Sequence, residues 1–179
     1  MITWEVVSIK AVAVYCRVST DEQGERGSIE NQVQFALDYC ERENLHVAEV
    51  YRDNGVSGTV KFGKRSAGSK LLEDARSGLF DTVLIYKLDR VARSIRIVLE
   101  TIKALEEAGV KIRSMTEPFD TETSAGKLQI HMLASFADFE RSMIAERSAL
   151  GTTRAVRNGK WCGASPPRLR SGRWLPASQ

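Results

Sequence analysis

Two rhythms of apolar residues alternate along this chain, short unbroken runs and longer stretches at helical spacing. Ala11-Val12-Ala13-Val14 is the first run, β-branched and uncharged, and it predicts a central strand buried on both faces. Ile29, Val33, Leu37 and Cys40 then share one face of a helix predicted from Ile29 to Glu43, with Ser28 as its cap. Val47 to Tyr51 reads as a second strand ending at Asp53. The glycine-rich loop beginning Asn54-Gly55-Val56-Ser57-Gly58 follows and runs to about Lys64. Arg65 opens a shorter helix through Leu71, Leu72 and Ala75 to Gly78. Asp81-Thr82-Val83-Leu84-Ile85-Tyr86 is a third buried strand. It leads into a helix that carries Arg90 and Arg93 on one face of its first turn, continues through Ile95, Val98, Leu99, Ile102 and Leu105, and stops at Gly109. Val110 to Met115 alternates apolar with polar, as a strand nearer the sheet edge does.

The last predicted helix is the longest. Thr123 or Ser124 caps it, Leu128, Met132, Phe136, Phe139, Met143 and Leu150 keep phase along it, and no proline interrupts it before about Arg157. Roughly thirty residues make a rod on the order of 45 Å, more than a domain of this size covers, so part of its apolar stripe is expected to meet another protomer. A helix that ends near Gly151 and packs wholly on its own sheet is the simpler alternative. The predicted fold is α/β: a mainly parallel central sheet of four to five strands flanked by helices, followed by a long C-terminal oligomerisation helix. The organisation follows as a catalytic core over 1–124, the long helix over 125–158 and a basic arm or linker over 159–179.

Composition narrows the class. With 179 residues the chain can bury one sizeable core and carry an appendage. No apolar run has the length of a membrane span, and the N-terminus lacks a signal-peptide pattern, which points to the cytoplasm. Cys16, Cys40 and Cys162 are widely spaced, and with His46 and His131 they form no metal-ligand pattern, so free thiols and no bound metal are expected. All 23 acidic residues lie in 1–146 beside 19 of the 26 basic ones, a balance of −4 there against +7 in the remainder. A basic tail on an acidic body suits a polyanion, although a solvated tail without a partner has the same composition.

The chemistry gathers at one sheet edge. Arg17 and Ser19, two residues apart after the first strand, project to the same side. Ser19-Thr20-Asp21 can also be an ordinary helix cap. Asp53 follows the second strand, Arg65 the loop, and Asp89, Arg90 and Arg93 the third strand. One hydroxyl among four arginines and two carboxylates, without a histidine, suits phosphoryl transfer better than an esterase triad. Guanidinium groups neutralise nonbridging phosphate oxygens and the charge that develops in the transition state.

Tyr15-Cys16-Arg17-Val18-Ser19-Thr20, Asp53 with Ser57-Gly58, Arg65, Lys87-Leu88-Asp89-Arg90-Val91-Ala92-Arg93, Ala125-Gly126-Lys127, and Glu140-Arg141 with Glu146-Arg147 resemble, in order, the motif set of the serine recombinases, the resolvase and invertase family. The likeness covers roughly residues 10–160. Asp21-Glu22-Gln23 and Trp161-Cys162-Gly163 are most similar to the large recombinases of phages and integrative transposons. The resemblance implies cutting and rejoining of double-stranded DNA without a metal or other cofactor, in a cytoplasmic protein encoded by a bacterium, phage or mobile element. Ser19 is implied as the nucleophile of a 5′-phosphoserine intermediate. Arg17, Arg65, Arg90 and Arg93 are implied as phosphate-binding, Gln23 and Gln32 as polar site residues, Asp89 as an aid to the leaving group and Asp53 as the residue that orders the arginines.

Glu140, Arg141, Glu146 and Arg147 match the helix through which family members form a homodimer and a synaptic tetramer. Arg154, Arg157 and Lys160 are expected to approach the DNA backbone. No membrane or small-molecule ligand is implied.

Two departures stand out. Arg168-Leu169-Arg170-Ser171 replaces the family's usual continuation after the prolines, so the chain resembles a catalytic domain alone. Ser66-Ala67-Gly68 offers little apolar surface where a bulkier residue is usual, so the helix opened by Arg65 is expected to dock less firmly. A nucleotide-binding or response-regulator module would need an acidic cluster or a glycine-rich phosphate loop after the first strand, and Arg17-Val18-Ser19-Thr20 is neither. A catalytically idle, truncated oligomerisation module of a recombinase is the other alternative.

Overall fold

The computed structural model describes residues 11–19, 29–158, 169–170 and 173–174. The chain divides into two compact units, residues 1–137 and 138–179. In the first, β1 (Ala11–Val18), β2 (His46–Asn54), β3 (Thr82–Ile85) and β4 (Lys111–Ser114) form one sheet in the order β2-β1-β3-β4. Every pairing is parallel, with Tyr15 opposite both Tyr51 and Ile85. β4, with the alternating sequence, is an edge strand as its pattern predicts. Successive connections leave β1 toward β2 on one side and reach β3 and β4 on the other. The strand order therefore reverses between β1 and β3, and open parallel sheets bind ligands beyond the strands' carboxyl ends at such a point.

Alternation along β1 builds a core on each face of the sheet. Val12, Val14, Cys16 and Val18 pack with Ile29, Val33, Ala36 and Cys40 of α1 (Ile29–Arg42). Ala13 and Tyr15 belong to the other cluster, with Leu71 and Ala75 of α2 (Ser66–Arg76) and Val98, Ile102 and Leu105 of α4 (Ile95–Glu107). Each fully buried aliphatic side chain contributes about 1.5–3 kcal/mol. Both α2 and α4 stop where the sequence predicts, before Gly78 and Gly109, each at φ +75°. The small residues after Arg65 correct an expectation. A Cβ on Gly68 would lie 2.3 Å from the Phe62 carbonyl oxygen, so glycine lets α2 press against the 3-10 turn Phe62–Lys64, and Leu71 is fully buried.

The helix after β3 is two elements. α3 (Leu88–Val91) is a single turn, ended by Ala92 in extended conformation, and α4 starts at Ile95. Arg90 and Arg93 thus do not share a continuous helix face. The break has a visible cause, because the Arg93 N–H leaves helical pairing and donates to the Gly58 carbonyl at 3.2 Å.

α5 (Ser124–Arg157) is the long helix. Its cap is Thr123, whose Oγ1 accepts the Gly126 N–H at 3.0 Å. Leu128, Met132 and Phe136 in the first unit are 61%, 53% and 56% exposed, and Phe139, Ile144 and Leu150 in the second are exposed as well. Also in the second unit, β5 (Leu169–Arg170) pairs antiparallel with β6 (Arg173–Trp174), an element the sequence pattern did not signal. No described helix is long and apolar enough to cross a membrane.

Candidate active site

The carboxyl end of β1 delivers Arg17 and Ser19, both buried, to the point where the strand order reverses. The Arg93 Nη2 donates to Ser19 Oγ at 3.3 Å, so one predicted arginine does reach the predicted nucleophile. A Cβ on Gly58 would lie 2.9 Å from both the backbone nitrogen and the Cγ of Arg93. Only glycine permits that approach without displacing Arg93.

Arg17 and Arg65 are buried and bound largely to backbone. Arg17 donates from Nε to the Arg90 carbonyl at 2.9 Å, from Nη1 to Val56 at 2.9 Å and from Nη2 to Asp89 at 3.3 Å. Arg65 donates from Nε and Nη2 to the Val60 carbonyl, from Nη2 also to Gly58, and from Nη1 to Val91 and the Tyr15 hydroxyl. The carbonyls of Asp89, Arg90 and Val91 end the α3 turn and have no partner further along a helix, so the two guanidinium groups cap it. They bind β1 and α2 to the segment that carries Asp89, Arg90 and Arg93.

Asp53 is also buried, and its two oxygens have separate tasks. Oδ1 accepts the Ala67 N–H at 3.0 Å in the first turn of α2, where a carboxylate also meets the positive helix end. Oδ2 accepts the Tyr15 hydroxyl at 2.8 Å. Burial, reinforced by Asp53 and opposed by Arg65, pushes the Tyr15 phenol well above its ordinary range, so it keeps its proton and donates to Asp53. Asp89 is different: its side chain is 54% exposed, 2.9 Å from Lys87 Nζ and 3.7 Å from Arg90 Nε. Gln32 is buried and donates to the Arg17 carbonyl at 3.2 Å, while Gln23 lies outside the described residues.

Next to Arg17 in β1, Cys16 is fully buried, and burial pushes its thiol up to about 12 despite the nearby Arg52. Among the described residues no group of histidine, cysteine and carboxylate side chains can hold a metal ion. Glu140, Arg141, Glu146, Arg147, Arg154 and Arg157 are exposed positions of α5 in the second unit, and Lys160 lies outside the described residues. Sequence reasoning quoted Tyr15 and Gly58 inside motifs but gave neither a task. Tyr15 sits on the same strand face as Arg17, two residues away, and that parity was the available signal.

Known proteins share the sequence and the fold. The chain is 33% identical over 159 residues to the probable DNA-invertase y4cG of Sinorhizobium fredii, covering 89% of this chain and 47% of that protein. It is 36% identical over 131 residues to the transposon Tn552 resolvase of Staphylococcus aureus, covering 72% and 64%. The chain thus spans about half to two thirds of the length of these relatives. Among solved structures, the N-terminal catalytic domain of TP901-1 integrase superposes with a TM-score of 0.67 at 35% identity, covering 75% of this chain and 98% of that one. A resolvase family site-specific recombinase from Streptococcus pneumoniae gives 0.69 at 28% identity, covering 83% and 99%. The family model for the resolvase N-terminal domain matches residues 12–161, most of the sequence, and the chain belongs to that family.

Proposed function

We propose that this chain is the catalytic domain of a site-specific DNA recombinase and that Ser19 is its nucleophile. The observation that carries the reading is the contact of Arg93 with Ser19 Oγ at the carboxyl edge of the sheet, on a segment fastened by two buried arginines. Ser19 Oγ attacks the phosphorus of one DNA strand, a serine–phosphate bond forms, and the bond from phosphorus to the 3′ oxygen breaks. The serine gives up its proton and the 3′ oxygen gains one. The energy of the phosphodiester stays in the phosphoserine link, so rejoining is the reverse attack by a 3′ hydroxyl and needs no nucleotide cofactor.

In this reading Arg93, which reaches Ser19, and Arg90 meet the phosphate. Arg17 and Arg65 hold the segment that presents them, and Asp89 is exposed enough to approach a leaving oxygen. Ser19 itself is 2% exposed, so a phosphate reaches it only after neighbouring atoms part, and cleavage follows a conformational step.

The partner is double-stranded DNA, and the basic residues from Arg147 onward approach its backbone. The exposed apolar positions of α5 support self-association, first as a homodimer and then as a tetramer that holds two DNA sites. Joining the full chain to an unrelated sequence-specific DNA-binding module and supplying paired sites tests the reading. A denaturing gel is expected to show protein covalently attached to DNA, and Ser19→Ala to abolish the attachment. A folded, DNA-bound fusion that self-associates without forming an adduct would favour a module that only oligomerises.

A further inference from the structure

We infer that Glu117 is a positioning residue for the cleavage proposed above, fixing the start of α3 and with it Asp89 and Arg90. The inference rests on that reading of the site and on a difference between the two ends of α3. The far end is fastened by Arg17 and Arg65, which take the carbonyls of Asp89, Arg90 and Val91. At the near end Lys87 stands in the capping position, and its side chain makes no capping bond. Glu117, 29 residues further along the chain, closes that end instead: its Oε2 accepts the Leu88 N–H at 3.0 Å. A carboxylate there also suits the positive end of a helix.

α3 needs such a partner because it is one turn long. A single turn fixes several backbone dihedral angles for very few hydrogen bonds, so it does not hold its shape unaided. Its own bonds run from the Arg90 N–H to the Lys87 carbonyl at 3.0 Å and from the Ala92 N–H to Leu88 at 3.4 Å.

Glu117 is itself held. The turn after β4 is tied to the junction between β3 and α3 by the Met115 N–H, which donates to the Ile85 carbonyl at 2.9 Å. Ser114 Oγ and Thr116 Oγ1 donate to the Tyr86 carbonyl at 3.2 Å and 2.6 Å, and the Glu117 N–H donates to Ser114 Oγ at 3.2 Å. Two residues later the buried Phe119 anchors the turn in the core. The carboxylate is thus carried to Leu88 on backbone tied at both sides.

Without that carboxylate, α3 is tied at one end only and can pivot about the end that the arginines hold. Asp89 and Arg90 lie nearest the freed end and move most. Arg93 lies beyond the fastened end, with its N–H on the Gly58 carbonyl, and stays in place. A displacement near 1 Å in a group aimed at reacting atoms costs on the order of a hundredfold in rate.

Glu122 supplies the control, as a second exposed carboxylate between β4 and α5, bonded to Lys111 Nζ at 2.6 Å. The test uses the full chain joined to a DNA-binding module, as the parent protein and as Glu117→Ala, Glu117→Gln and Glu122→Ala. Glu117 is exposed, so neither replacement leaves a hole in the core. Single-turnover rate constants of adduct formation, DNA affinity and melting temperature are measured, and hydrogen exchange of the Arg90 and Arg93 amides is followed in parallel.

Glu117→Ala is expected to slow adduct formation about tenfold or more with affinity within about twofold, and to speed Arg90 exchange about tenfold while Arg93 exchange changes by less than about twofold. Glu117→Gln keeps an acceptor oxygen at the same reach and is expected to recover most of the rate. Glu122→Ala is expected to match the parent in both. Parent-like cleavage in Glu117→Ala would overturn the inference, and so would a loss that Glu117→Gln does not reduce or that Glu122→Ala shares. A parent that forms no adduct contradicts the recombinase reading, while Arg90 exchange still decides whether Glu117 fixes α3.

Discussion

Arg65 is where a single side chain does most to hold the site together. Its guanidinium serves three backbone carbonyls and a phenol in a buried setting, so Arg65→Met strands all of them and is expected to cost about 3–5 kcal/mol in chemical denaturation. The exposed Lys103, paired loosely with Glu107 at 3.9 Å, should change stability by about 0.5 kcal/mol or less as Lys103→Met. Buried acids make a separate prediction. The Cys16 and Cys40 thiols and the Tyr15 and Tyr51 phenols all titrate above their ordinary values because burial disfavours the thiolate and phenolate. Their folded pKa values exceed the unfolded ones, so their stabilising contribution is complete below the unfolded values and is lost as pH rises through the folded ones. Denaturant midpoints measured against pH should fall from about 9 upward, and replacing Cys16 and Cys40 by alanine should move the onset to about 10, where tyrosines begin to ionise. The type of chemistry was legible in the residues, since a serine and several arginines reach one edge by strand parity alone. What Arg17 and Arg65 bind was not legible, because pattern tells which face a side chain takes and says nothing of which carbonyls a distant loop presents to it.

Among the elements, the strands and most helices could be read because each has a strong period or an unbroken apolar run. The split between α3 and α4 could not, since no proline or glycine interrupts Leu88 to Leu105 and the break comes from a tertiary bond between Arg93 and Gly58. Gly58→Ala pushes on the backbone of Arg93 and is expected to slow adduct formation about tenfold or more in the single-turnover assay, with secondary structure retained. At the start of α5, a Cβ on Gly126 would fall 1.7 Å from the Asp120 carbonyl oxygen, deep inside contact distance. Gly126→Ala therefore has to displace the turn between Asp120 and Thr123, and thermal unfolding should show a loss of about 2 kcal/mol or more where an exposed helical glycine such as Gly151 would gain stability on the same change. In the sequence, Ser66-Ala67-Gly68 looked like missing apolar surface. In the fold, Gly58, Gly68 and Gly126 are each the condition for a backbone carbonyl or nitrogen to come close.

For the molecule as a whole, the partners proposed from charge and exposed apolar surface are DNA and further copies of the chain. Arg154 and Arg157 lie in the last turn of α5, and if each meets a phosphate, replacing both by alanine should lower the slope of log affinity against log salt by about 2 while leaving sequence preference unchanged. Exposed Met132 and Phe136 lie on α5 beside a cavity of about 390 Å³ that Leu88 and Phe119 also line, and charged replacements there should weaken self-association in sedimentation before they affect folding. The central proposal is one covalent step at Ser19. Its most direct test is to trap the protein–DNA adduct under denaturing conditions, digest both polymers and locate the residual phosphonucleotide by mass spectrometry. The mass is predicted on the tryptic peptide of residues 18–26, at Ser19. A phosphonucleotide on Ser57, Thr59 or any other hydroxyl, with Ser19 unmodified, would contradict the account.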